Sequence, residues 1–218
     1  MTPEVQSFQS RCALAVPGQD IGTTVDEFFQ QPAVANPHPT WSKEEIAQFR
    51  AFWPIGSGAR QAFEVIYWTG TRCVDAAKIG WDSVNNGILE FTQEKTGGVA
   101  VVPVTAPVPQ YLEADQRLFL QAANAQRLFI MSKHGKGRTV KALSQLVANA
   151  AREAGILGRT AHGLRKARAV FLAEHSWTPN EIGAWTGHES LTEIAHYTRG
   201  ANKKAMIMGK QVGKSEPQ

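Results

Sequence analysis

Separated stretches of this chain carry side chains that could bind a phosphate or attack one. In "WTGHESLTEIAHYTRG", residues 185 to 200, His188 follows Gly187 and Tyr197 stands nine positions further on. In "TAHGLRKARA", His162 and Arg165 are three apart. That spacing puts them on one face of a helix, with Leu164, Val170 and Phe171 expected on the opposite, core-facing side. Arg72 lies just past Gly70 in "YWTGTRCVD", and Lys95 sits in "EKTGG". An arginine fork binds the oxygens of a phosphodiester in pairs and never loses its proton. A tyrosine hydroxyl, with a pKa near 10, attacks phosphorus only with cationic neighbours or a base at hand, which the two arginines and the histidines would supply. Taken singly, each group also has an ordinary reading. His162 and Arg165 could be a surface pair, Arg72 a junction residue, His188 a cap, Lys95 a solubilising charge, and Tyr197 a packing residue three positions after Ile194.

To bring these groups together the chain needs helices on either side of a small sheet. Ser42 to Glu45 is a capping box ahead of Ile46, Phe49 and Phe52, the stripe of an amphipathic helix. "ARQAFEVIYWTG" reads as a second, largely buried helix stopped by Gly70, with a short helix following at about 74–79. Asn86-Gly87 and Gly97-Gly98 then separate runs rich in Val, Ile, Leu and Phe, the pattern of a three-stranded antiparallel meander. Helices are expected again at 109–123, 144–154, 160–174, 179–186 and 190–199, the last two opened by the capping boxes Thr178 to Glu181 and Ser190 to Glu193. The fold class expected is therefore α+β, mainly helical with one small three-stranded antiparallel sheet. Residues 1–39, with Gly18, Gly22 and "NPHP", read as an arm or linker holding at most one short helix at 25–30. A main domain over 40–208 and a flexible tail over 209–218 complete the expected organisation. The six tryptophans fall within or beside apolar runs and read as core, and His175 and His196 read as structural or exposed.

Composition narrows the classes. With 43% hydrophobic residues in 218, the chain can bury a substantial core. Two cysteines make no disulfide framework, and no C-x-x-C suggests zinc. No leader pattern and no apolar run of about 20 residues is present, so a soluble, cytoplasmic protein is expected. The net charge of +4 is modest, but Lys133 to Arg168 holds nine basic residues against the single acid Glu153. That imbalance reads as a polyanion-binding surface, or otherwise as a solvated helix face. Lys133, Lys136, Arg138 and Arg168 are the candidates for contacts to a DNA backbone. No carboxylate cluster accompanies the histidines, which argues against a two-metal nuclease, and no cofactor is expected.

Thr-Gly-x-Arg, a meander carrying "EKTGG", His-x-x-Arg on a helix, Gly-His after a short helix, and a tyrosine nine positions on form an ordered set. Over roughly residues 40 to 205 this set resembles the tyrosine recombinase, or phage integrase, catalytic domain. The resemblance implies that Arg72 and Arg165 bind the scissile phosphate, that His162 and His188 are the two active-site histidines, and that Lys95 is the general acid on a hairpin turn. It implies that Tyr197 is the nucleophile, forming a covalent link to a DNA 3′ end, and that four protomers assemble on two duplexes of double-stranded DNA. Lys166 stands where the family often has a histidine, and Asp75 where glutamate is common. Relatives usually carry a further helical DNA-binding domain of about a hundred residues ahead of the catalytic one, so either this chain is a fragment of a longer protein or 1–39 is only a vestigial arm. Two other readings fit parts of the pattern: a type IB topoisomerase, which uses similar groups, and a non-catalytic DNA-binding module, since "TPNEIGAWTGHESLTEIAHYTRG" also scans as helix, turn, helix.

Overall fold

The computed structural model describes residues 38–188, 190, 192, 194, 195 and 201–212. The chain divides into two units, Met1–Pro37 and His38–Gln218; the expected arm with its short helix lies outside the described residues. The second unit has the expected α+β architecture. Its order is α1 (Lys43–Phe52), α2 (Gly58–Thr69), α3 (Cys73–Ala76), a 3-10 turn (Trp81–Ser83), β1 (Val84–Asn85), β2 (Ile88–Thr92), β3 (Val99–Pro103), α4 (Gln110–Ala122), α5 (Val140–Glu153), α6 (Ala161–Glu174), α7 (Pro179–Thr186) and α8 (Lys203–Val212).

Both capping boxes that fall on described residues form. Ser42 accepts from the Glu45 N–H while the Glu45 carboxylate takes the Ser42 N–H, and Thr178 and Glu181 do the same for α7. Gly70 ends α2 in the left-handed region (φ +63), its N–H donating to Ile66 O. The Asn86-Gly87 turn puts both central residues at positive φ, and the sheet runs β1-β2-β3 antiparallel, with Leu89 opposite Val102 and Thr92 opposite Val99.

Several boundaries differ from the sequence reading. Helix α5 starts at Val140, a turn early, because the Thr139 hydroxyl caps it by accepting from the Ala142 N–H. Helix α8 runs through Gly209 to Val212, where a flexible tail was expected from 209; a glycine within a helix costs only about 1 kcal/mol. Of the 190–199 segment, Thr192, Ile194 and Ala195 are helical, while the Glu193 end of its capping box lies outside the described residues.

Helix α2 is the hub. It is buried over Ala59–Thr69 except for Gln61, and it packs on α4, α5 and α6. Phe63 stacks on Phe49 at 4.3 Å, with Trp41 edge-on to both. The six tryptophans are core or packed against it, and every indole N–H donates, five to backbone carbonyls and Trp177 to the Tyr111 hydroxyl. His175 caps α6 and stacks on Tyr111 at 4.4 Å, a structural role as expected.

Helix α6 departs most from its expected pattern. It is buried nearly all round, Arg165 and Arg168 included, while Val170 and Phe171 are only partly covered. Arg168, a candidate DNA contact, is fully buried with its charge paired to Asp115 inside the core, so it is not placed to contact a DNA backbone. It donates to Tyr67 O at 2.9 Å and to Asp115 at 3.0 Å, and its guanidinium lies 4.1 Å over the Tyr67 ring. Asp115 also pairs with Arg50, and Glu64 joins Arg50 to Arg60, so a run of alternating charges ties α1, α2, α4 and α6 together. Burial raises the Asp115 pKa, but Arg168 and Arg50 outweigh it and hold the carboxyl below its ordinary value.

Candidate active site

The cluster grows from the ends of three helices and one turn. Past Gly70, the chain turns into α3 with Arg72 extended at its N-cap (φ −75, ψ 157). A side chain at Gly70 would clash in φ and would crowd Thr186 Cγ2 at 3.1 Å, so glycine lets α7 pack on the α2 stop. The Gly70 carbonyl freed there accepts Arg165 Nη1 at 2.7 Å. The same nitrogen donates to Thr186 O at 2.7 Å, and Nη2 meets His188 Nε2 at 2.8 Å. Arg165, one turn into α6, is thus aimed by the last carbonyls of α2 and α7.

The tautomer of His188 follows from its neighbours. Thr186 Oγ1 lies 2.6 Å from Ile182 O, which can only accept, so the hydroxyl proton goes there. The same oxygen is 2.7 Å from His188 Nδ1 and therefore accepts from Nδ1–H. That leaves Nε2 with its lone pair toward Arg165. Burial, then the charges of Arg165 and Arg72, push the His188 pKa down to about 3. His162, in the first turn of α6, is pushed down to about 4 by burial, Lys166, His38, Arg165 and Arg72, in keeping with the positive helix end beneath it. Both imidazoles are neutral at pH 7. The lasting positive charge at the site is that of the arginines, and the Nε2 lone pair of His188 is directed at Arg165.

Arg72, half-buried, donates through Nη1 to Gln93 Oε1, and Gln93 Nε2 donates to Thr186 O. Arg72, Arg165 and His188 therefore belong to one hydrogen-bonded cluster, with His162 in its electrostatic reach. Lys95 is exposed on the turn between β2 and β3, two residues past Gln93. The base of that turn is pinned by Gln93 N–H to Gly98 O at 2.9 Å and by Glu94 N–H to Asp75 at 3.0 Å. Tyr197 and His196 lie outside the described residues. Cys73, beside Arg72, is held as a thiol by burial, its pKa pushed up to about 11.

The sequence reading missed three groups. Gln93 and Thr186 look like ordinary polar residues until their partners are known. His38, read as part of a linker, brings its ring to 5.1 Å from His162, while its carbonyl takes Lys166 Nζ at 2.8 Å. The close passage of this segment explains Gly163, whose added Cβ would lie 2.3 Å from Pro39 O.

Of the DNA-contact candidates other than Arg168, Lys133 and Lys136 are exposed on a turn closed by Ser132 N–H to Lys136 O at 2.7 Å. Arg138 is half-buried, its guanidinium against Gly58 in a cleft of about 430 Å³ that Lys133 also lines. Among the described residues no His, Cys, Asp and Glu groups could hold a metal ion, and no helix is long and apolar enough to cross a membrane.

Comparison with known proteins gives one answer. Residues 43–204 match the model of the phage integrase family. The chain is 26% identical over 167 residues to the integrase of Escherichia phage HK022, covering 72% of this chain and 45% of that protein. It is 24% identical over 152 residues to tyrosine recombinase XerD of Listeria innocua, covering 66% and 51%. The chain spans about half the length of these relatives. A lambda integrase (75–356) dimer bound to a COC′ core site superposes with a TM-score of 0.65 at 21% identity, over 83% of this chain and 67% of that one. The lambda integrase catalytic core gives 0.56 at 22% identity, over 69% and 91%. With the family model covering most of its length and the fold in agreement, this chain belongs to the phage integrase family.

Proposed function

We propose that this chain carries the catalytic part of a site-specific DNA recombinase or integrase that breaks and rejoins strands through a phosphotyrosine at Tyr197. The observation that supports this most is the joining of Arg72 and Arg165, from distant parts of the sequence, through Gln93 and the Thr186 carbonyl. A pentacoordinate phosphorus gathers negative charge on its non-bridging oxygens, and two preorganised guanidinium groups in a partly dry site stabilise that charge; losing one such donor elsewhere costs about 100- to 1000-fold in rate. His188 holds the Arg165 fork in register, and neutral His162 stands beside it as a polar neighbour of the phosphate.

The Tyr197 oxygen forms a bond to phosphorus as the bond from phosphorus to the 5′ oxygen breaks. The phenolic proton passes to water, and Lys95 delivers a proton to the departing 5′ oxygen. The reverse attack by a 5′ hydroxyl frees the tyrosine, so rejoining needs no nucleotide triphosphate. Lys133 and Lys136 face the duplex backbone, and self-association on DNA follows the lambda integrase structures described as a dimer on a core site and a tetramer on a Holliday junction.

The test uses the full chain and a library of nicked suicide duplexes of randomised sequence. A protein–DNA adduct that survives denaturation and vanishes in Tyr197→Phe is expected. Saturable, salt-sensitive binding with no adduct across the library would instead mark a DNA-binding module and overturn the enzymatic reading.

A further inference from the structure

Resting on that reading, we infer that Gln93 is a positioning residue that sets Arg72, Arg165 and the Lys95 turn in one register without neutralising either arginine. Gln93 directly follows β2 and is buried to 1% exposure. Its backbone closes the turn in both directions, N–H to Gly98 O and carbonyl to Gly97 N–H, each at 2.9 Å. Its side-chain oxygen accepts from Arg72 and, at 3.0 Å, from the Thr96 hydroxyl within the turn. Its amide N–H donates to Thr186 O, the carbonyl that also takes Arg165. That carbonyl has two lone pairs and two donors, so its capacity is filled.

The fit is tight. Gly187 packs its backbone on the Gln93 amide, and a Cβ there would lie 2.5 Å from Nε2 and 2.6 Å from Cδ. One neutral amide thus touches the start of α3, the end of α7 and the lysine-bearing turn.

Its chemistry suits the task in a way no carboxylate would. Among the described residues, Arg72 has no ion-pair partner. A Glu at 93 would reach Arg72 equally well but would cancel the charge meant for a phosphate, and would set a carboxylate oxygen against Thr186 O. Glutamine supplies one acceptor and one donor and leaves the charge of Arg72 uncompensated.

Two variants separate positioning from mere packing. Gln93→Met keeps the volume and removes the hydrogen bonds; Gln93→Glu keeps the shape and adds charge. In single-turnover cleavage of a captured suicide duplex, Met is expected to slow adduct formation about 10- to 100-fold and Glu at least 100-fold. Non-covalent affinity of the Met variant should stay within about threefold of wild type. The salt dependence of DNA binding should be unchanged for Met, whereas Glu should lower the slope of log K against log salt by about 0.9, the loss of one phosphate contact. The inference is overturned if both variants cleave within threefold of wild type. It is overturned equally if both lose rate only in step with their melting temperatures and share the wild-type salt slope. A wild-type chain that forms no adduct sinks the recombinase reading alone, because the slope comparison still reports whether residue 93 governs the charge Arg72 offers to DNA.

Discussion

Thr186→Val isolates the contact on which the His188 tautomer depends. The substitution keeps the shape of a side chain that is 1% exposed and removes one oxygen. That oxygen takes His188 Nδ1–H at 2.7 Å and gives its own proton to Ile182 O at 2.6 Å. In the variant, Nδ1–H is left in the interior without its acceptor, at a cost of about 1–3 kcal/mol. At this chain length each kcal/mol lowers Tm by about 2–4 °C, so a fall of about 4–8 °C is expected for a loss near 2 kcal/mol. The alternative open to the ring is to move its proton to Nε2, which then faces Arg165 Nη2 donor to donor and frees the guanidinium to swing. Either way adduct formation drops more than tenfold, since a barrier change of only about 1.4 kcal/mol is worth that factor. Urea unfolding measures the first effect, and nitrogen-15 NMR of the imidazole reads the tautomer directly. Thr186→Ser, which keeps the hydroxyl, is expected to retain most of the stability and the Nδ1–H form. A Val variant within 0.5 kcal/mol of wild type that still shows Nδ1 protonated and Nε2 bare would refute the reasoning, as would Ser and Val variants that behave alike.

Acid should unfold this protein through its histidines. His188 stays neutral in the folded chain down to about pH 3 and His162 to about pH 4, while the unfolded chain protonates both near 6.5. Between those values the unfolded state binds more protons, so this contribution to stability is complete above pH 6.5 and is lost as pH falls toward 4 and then 3. Urea titrations at pH 7.5, 5.5 and 4.5 should show it, and replacing either histidine by Asn should flatten the slope by up to about 1.4 kcal/mol per pH unit; an unchanged slope would contradict the assignment. For Arg168→Ala, removal of one member of a buried charged network should cost about 3–5 kcal/mol, measured by urea unfolding, while leaving the salt dependence of DNA binding at its wild-type slope. A stable variant with a reduced slope would restore Arg168 to the DNA-facing surface.

Much of the fold could be read from local signals. Ser42 with Glu45, Thr178 with Glu181, and Gly70 announce where helices begin and end, because a cap satisfies backbone groups only a few residues away. Asn86-Gly87 announces its hairpin for the same reason: the turn needs positive φ at both positions. The membership of Arg72, His162, Arg165 and His188 in one set was legible through their order along the chain.

What the line of residues could not decide was which partners each of two buried arginines would meet. Arg165 and Arg168 share one helix, the same chemistry and nearly the same burial. Arg165 meets two helix-end carbonyls and an imidazole, whereas Arg168 meets Asp115 and the Tyr67 ring. Those partners come from segments far off in sequence. The sequence by itself determined a mainly helical domain with one small sheet, since periodicity, caps and turn residues act over a few residues. Only the packed structure decided the partners of His188, the burial that lowers the pKa of both imidazoles and the place of Gln93, because hydrogen bonds and desolvation depend on neighbours within a few ångströms in space, whatever their separation along the chain.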